Sequence, residues 1–229
     1  MRIVSSVRRM ITGGKKMKEN QTKQLVLTAL FAAIIIIMAS VPFLGYIPLG
    51  LMNATIIHIP VILGALFLGP KKGAFLGFLF GLTSLIKATF TPNPTSFVFS
   101  PFYTVGGVHG GIKSLIVCFI PRILIGITSY YIFKFIISVT KNKKGARSVS
   151  FVAAGLVGSL TNTLLVMYGI FFLFGESYAN ASNILPTALH GLILSVIGMQ
   201  GVPEAIVAAV IVLGVGQILA RLFPLYGEK

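Results

Sequence analysis

Apolar residues come in long runs joined by short polar, glycine-rich or proline-rich stretches, without the strict alternation of a half-buried strand. Residues 25–44 (LVLTALFAAIIIIMASVPFL) and 205–220 (AIVAAVIVLGVGQILA) carry no charge. A helix crosses the hydrocarbon core of a bilayer in about 20 residues, so these runs predict membrane spans. Six spans are predicted, at 25–43, 52–68, 73–88, 112–138, 149–174 and 203–223. The joints are a turn with Pro42, Gly45 and Pro48, the Gly69-Pro70-Lys71-Lys72 turn, a Pro/Gly/Thr/Ser-rich segment at 89–111, the basic loop 141–147 (KNKKGAR) and a mixed stretch at 175–202. Residues 184–200 either extend the last span or form a separate outer helix; Gly198, Gly201 and Pro203 favour a break there, since proline suits a helix's first turn and not its interior. The expectation is an all-α membrane protein: a basic tail at 1–24, disordered over 1–20 with Met17 as a candidate start, a six-helix domain at 25–223 and a short tail at 224–229.

Composition agrees. Hydrophobic residues make up 55% of the 229, mean hydropathy is +0.95 and only 10% are charged, too little polar surface for a soluble fold. The net charge of +15 would suit nucleic acid, but its positions point to the bilayer instead. Lysine and arginine cluster at 2–23, at Lys71 and Lys72, and at 141–147, each beside a span. Positive loops stay in the cytoplasm, which puts both termini inside and faces 44–51, 89–111 and 175–202 outward. Cys118 is the only cysteine and lies in an apolar run, so no disulfide forms within the chain.

Enzyme chemistry finds little to work with. There is no aspartate, and the glutamates are Glu19, Glu176, Glu204 and Glu228. No zinc-protease, serine-hydrolase or phosphate-loop motif occurs, so no catalytic residue is named and a self-powered ATPase is excluded. His58, His109 and His190 are far apart with no metal-ligand spacing; neither a metal nor a cofactor is expected.

Polar residues inside the spans are more telling, because lipid makes them costly and drives them to face the protein interior. Arg122 lies about 10 residues into span 4 from its outer end, about 15 Å deep at the helical rise. Asn162 occupies the middle of span 5, and Gln200 and Glu204 bracket the break before span 6. Lys87 and Lys113 mark the outer ends of spans 3 and 4, where lysine heads snorkel to the interface. The outer-half cations outnumber the nearby anion Glu204, so an outward cavity lined by these groups should prefer a small organic anion. Arg122 would take its carboxylate, while Asn162 and Gln200 would meet hydroxyl and amide groups. The alternative is an Arg122–Glu204 ion pair holding the bundle together. Lys113, and Tyr103 from the aromatic segment Phe97–Tyr103, complete the candidate substrate-binding set; that segment would serve as a lid or as an interfacial belt.

Two small-residue patterns bear on packing. Gly69, Gly73, Gly77 and Gly81 recur every fourth residue along span 3, and Ala29 and Ala33 share that spacing in span 1. Both let another helix come close.

Taken together, LTALFAAI in span 1, NATIIHIPVILGALFLGPKKGAFLGFLFGLTS across spans 2 and 3, SPF at 100–102 and PRILIG at 121–126 resemble the substrate-binding S components of energy-coupling factor (ECF) vitamin transporters. The resemblance covers about 23–223 and is strongest to the pantothenate-specific members, with folate and riboflavin ones further off. It implies tight vitamin binding in a cavity under the outer loops. It also implies docking on a transmembrane T subunit carried by two ATPase subunits, with Ala29 and Ala33 matching the docking pattern of the first helix, and transport by toppling in the membrane. Pantothenate, with one carboxylate, two hydroxyls and one amide, suits the cavity argument. A standalone secondary carrier or a membrane enzyme are the competing readings.

Overall fold

The computed structural model describes residues 2–41, 44–49, 52–105, 108–140 and 145–226; the side chains of 1–20, 46–49, 52–54, 105, 108 and 109 lie outside the described set. Of the expected features, residue 1 and the side chains of the 1–20 tail, the 141–144 part of the basic loop 141–147 and the 227–229 part of the tail 224–229 therefore fall outside it. Apart from two short hairpins, the described chain is helical: α1 (Arg2–Ser40), α2 (His58–Leu68), α3 (Pro70–Phe90), α4 (Gly111–Val139), α5 (Ala146–Ala181), α6 (Leu189–Val196) and α7 (Val202–Leu222). Among the described residues, five segments are long and apolar enough to cross a membrane: Gln21–Ser40, Pro70–Phe90, Gly111–Val139, Ala146–Ala181 and Pro186–Leu222.

The second predicted span is corrected. Its helix starts at His58 rather than 52, because Met52–Thr55 (β2) pairs with Tyr46–Leu49 (β1) as an antiparallel hairpin, Tyr46 opposite Thr55. Asn53 and the β-branched Thr55 are weak helix formers, and an apolar run too short for a full span does not by itself choose helix over strand. A smaller ladder joins Thr104–Val105 (β3) to Val108–His109 (β4).

Of the two readings of the stretch before the last span, the structure takes the continuous helix and not the break that Gly198, Gly201 and Pro203 favour. The helix continues from α6 into α7 through a π turn at Ile197–Gly201, where the Val202 N–H reaches back five residues to the Ile197 carbonyl. Pro203, which has no N–H to offer, follows directly.

α2 sits at the centre. Every residue from His58 to Leu68 is buried, and the helix touches α1, α3, α4, α5 and α7. A helix apolar all round has no reason to keep a face on the outside. Gly69, at φ 91°, ends α2 and lets Pro70 open α3 at once, the left-handed conformation being natural only to glycine. The chain end folds back here: the Tyr226 N–H donates to the Leu66 carbonyl at 3.1 Å, satisfying one of the last acceptors of α2.

The glycine stripe packs within the bundle. Gly73 faces Gly126, Gly77 lies against the Arg122 carbonyl and the Ile123 Cα, and Gly81 lies against Phe119 and the Cys118 carbonyl, so α3 and α4 meet nearly backbone to backbone. Cys118 Sγ donates to the Gly81 carbonyl at 3.3 Å across that seam.

Two apolar clusters result. One surrounds α2 with Phe31, Ile35, Leu76, Phe80, Ile125, Phe151 and Val212. The other gathers Phe97, Val98, Val117, Met167, Ile170, Phe174, Tyr178 and Ile193. On α4, α5 and the α6–α7 rod the residues between the clusters include Arg122, Asn162, Thr163 and Glu204. The polar residues of the spans therefore form a belt between two oily layers.

Replacing Gly77 by alanine puts a methyl onto the Arg122 carbonyl and within 2.9 Å of the Ile123 Cα, so the seam must open. Thermal unfolding in detergent is expected to show a loss of about 1–3 kcal/mol for Gly77→Ala. Gly214→Ala, which meets nothing within 4 Å, should be neutral or stabilising. Equal behaviour of the two variants would refute the packing role of the stripe.

Candidate functional site

Between the two clusters lies a cavity of about 100 Å³. Its lining draws Thr55 from the end of β2, Ser84, Lys87 and Ala88 from α3, and Thr91, Asn93, Thr95, Ser96 and Phe99 from the segment after it. Arg122 comes from α4, Asn162, Thr163, Val166 and Met167 from α5, and Val196, Gln200, Gly201 and Glu204 from the α6–α7 rod. Four of the predicted residues, Arg122, Asn162, Gln200 and Glu204, therefore meet around one void.

Arg122 is 6% exposed, and its Nη1 donates to the Val117 carbonyl at 2.8 Å. Its guanidinium carbon lies 4.9 Å from the Phe99 ring centroid and 5.6 Å from that of Phe80. Such flanking by ring faces is attractive for a cation and holds the planar fork in place. Asn162 is equally buried, and its Oδ1 has no hydrogen-bond partner among the described residues. A buried carbonyl oxygen left this way costs free energy until a donor arrives. Glu204 Oε1 accepts the Thr55 N–H at 2.9 Å, tying the hairpin to α7, and its charge lies within electrostatic reach of Arg122.

The rim is stiffened by a local network. Ser96 Oγ donates to Asn93 Oδ1 at 2.8 Å and accepts the Asn93 N–H at 2.8 Å, while Thr95 Oγ1 donates to the same Oδ1 at 3.2 Å. Phe97 is fully buried in the second cluster, and its carbonyl accepts Ser114 Oγ at 2.6 Å. The aromatic segment is thus anchored at its start, with Phe99 turned to the cavity and Phe102 77% exposed.

Two predicted residues lie elsewhere. Lys113 is exposed in the first turn of α4, where its neighbour Ser114 takes the inward position, and Tyr103 packs beside the second apolar cluster; neither lines the cavity. Lys87, expected at the lipid interface, lines it instead. Sequence reasoning missed Lys87, Thr55 and the 91–96 turn. The signal for Lys87 was available, since Ser84, Lys87 and Thr91 share one helix face at i, i+3 and i+7. Among the cavity-lining residues the cations are Lys87 and Arg122 and the anion is Glu204, so the excess of positive charge expected from sequence persists with a different lysine.

Ala29 and Ala33 are exposed on α1, not packed within the bundle. Among the described residues no group of three metal-ligating side chains occurs; His190 packs edge-on to Phe171 instead.

A cavity with an excess of positive charge, set among apolar helices, suits capture of a small solute, and comparison with known proteins agrees. Residues 23–216 match the family described as ECF transporter, substrate-specific component. The chain belongs to that family. A pantothenic acid transporter, PanT, of Lactococcus lactis subsp. cremoris is 34% identical over 207 residues, covering 90% of this chain and 97% of its own. A pantothenate transporter PanT of Leuconostoc mesenteroides subsp. mesenteroides is 31% identical over 219 residues, covering 93% of this chain and 100% of its own. This ECF substrate-specific component is accordingly a multi-pass protein of the bacterial plasma membrane.

Within the S component, Glu204 should govern the hairpin. Glu204→Ala leaves the Thr55 N–H without its acceptor, and hydrogen exchange at that amide is expected to quicken about 10- to 100-fold, the worth of one hydrogen bond to a charged group. Glu204→Gln keeps an acceptor oxygen and should retain most of the protection. Unaltered exchange in the alanine variant would show that the tie does not hold the hairpin.

Proposed function

We propose that this S component binds pantothenate in the cavity between the apolar clusters and delivers it to a T subunit carried by two ATPase subunits, which hydrolyse the ATP. Its chain would cross the membrane six times, α2 making the short pass, with both termini in the cytoplasm as the lysine and arginine distribution requires. The observation that carries the proposal is that one cavity holds both the buried Arg122 guanidinium and the buried Asn162 Oδ1 that awaits a donor. Pantothenate offers a carboxylate to the first, and a hydroxyl or amide N–H to the second. Gln200, Thr163 and the hydroxyls of the rim supply further polar contacts to its other groups.

The lining speaks less well for larger vitamins. Among the described lining residues Phe99 is the one aromatic side chain and already stands over Arg122, which leaves no pair of described rings to sandwich a pterin or a flavin. A second carboxylate, as folate carries, would have to share the positive charge. The names of the two relatives point the same way. The exposure of Ala29 and Ala33 supports their role as the docking stripe, since small side chains turned away from the bundle let a partner helix come close.

Calorimetric titration of the purified protein tests the site. Arg122→Ala is expected to weaken pantothenate binding about 100-fold or more, as loss of a buried charge-assisted pair does. Binding of panthenol, the alcohol lacking the carboxylate, should change little. Undiminished pantothenate affinity in Arg122→Ala would remove Arg122 from the site. Uptake separates docking from binding: Ala29→Leu with Ala33→Leu should abolish transport by the assembled complex while leaving affinity intact, and normal uptake would place docking elsewhere.

A further inference from the structure

The structure assigns Pro121 as the positioning residue for the Arg122 guanidinium. Pro121 stands inside α4, more than two turns from either end. A proline there has no N–H, so the carbonyl four residues earlier, that of Val117, loses its regular helical donor. That carbonyl is the one to which Arg122 Nη1 donates, at 2.8 Å. The lost backbone bond is thus replaced by a side-chain bond from the next residue.

Direction permits this. Side chains on a helix lean toward its N-terminus, so the arginine reaches back along α4 toward Val117. The seam with α3 keeps the rest of this turn fixed: Gly77 and Gly81 present no side chain to it, and Cys118 Sγ is tied to the Gly81 carbonyl. Phe80 and Phe99 then flank the guanidinium. With one nitrogen anchored and both neighbours in place, the head group is held at a fixed spot on the cavity wall instead of sampling the rotamers of a long side chain. A fixed fork loses less freedom when it meets a carboxylate. The assignment takes its ligand from the pantothenate reading, but its geometry stands without it.

The test is a double-mutant cycle of Pro121→Ala and Arg122→Ala, titrated with pantothenate and with panthenol. In Pro121→Ala the new N–H competes for the Val117 carbonyl and releases the guanidinium. Pantothenate affinity should fall about tenfold, the low end of what one hydrogen bond to a charged group is worth, with panthenol within about twofold of wild type. On the Arg122→Ala background the Pro121 change should have no further effect on pantothenate. Alanine is the better helix former, so the melting temperature should hold or rise. Equal losses for both ligands, a loss that persists without Arg122, or no loss at all would each overturn the assignment. Should the wild-type protein bind neither ligand, the pantothenate reading has failed, and the ligand-free structure of Pro121→Ala decides the inference. A released guanidinium would uphold it, and Nη1 still bonded to the Val117 carbonyl would overturn it.

Discussion

Hydrocarbon offers no hydrogen-bond partner, so each backbone group at membrane depth must find one inside the protein, and this requirement shapes the bundle around α2. At 11 residues α2 covers only about 16 Å of a hydrocarbon core about 30 Å thick. If α2 makes the short pass of the six proposed, the extended chain before it would lie at a depth where irregular backbone is tolerated only when protein surrounds it. The β1–β2 ladder meets part of the demand, Glu204 takes the Thr55 N–H, and the folded-back end supplies the Leu66 carbonyl with the Tyr226 N–H. Arg122 answers the same need at Val117. Two of the side chains that repair the backbone, Glu204 and Arg122, also carry charge onto the cavity wall, beside Lys87.

The location of that cavity follows from how the apolar surface divides. One cluster forms around the buried α2 and the other around Phe97, Phe174 and Tyr178, and the helices that run through both leave their polar residues in the gap. Isolated on a lipid-facing surface, Arg122, Asn162 and Glu204 would each be expensive. Gathered into one belt they share an environment polar enough to hold them and dry enough to make each interaction with a solute strong. The α3–α4 seam contributes by bringing Ser84 and Lys87 close to the arginine's wall, which bulkier residues at Gly73 and Gly77 would push away.

The long spans were legible in the sequence because a run of about 20 apolar residues has one physical interpretation in a bilayer. Arg122, Asn162, Gln200 and Glu204 were legible for the complementary reason, as polar groups that had to face inward. The short span was not. Between 46 and 57 the chain is apolar enough for helix or strand, and only the pairing of Tyr46–Leu49 with Met52–Thr55 decides. Lysines at span ends were equally ambiguous. Lys87 and Lys113 look alike in sequence, and a rotation about the helix axis separates the one on the cavity wall from the one outside. Residue types mark 91–96 as a loop, but its closed set of Asn93, Thr95 and Ser96 hydrogen bonds belongs to a conformation that they alone do not specify.

The π turn at Ile197–Gly201 acts as a phase correction for the last transmembrane rod. Between Ile193, in one apolar cluster, and Val212, in the other, a regular helix would rotate its inward side away by about 100°. Taking up one surplus residue cancels that drift, so both ends of the rod present the same side to the bundle without supercoiling. Lipid would forgive a misplaced isoleucine or valine on either end. It would not forgive Glu204, and the extra residue keeps a carboxylate out of the acyl chains along a helix otherwise free to turn.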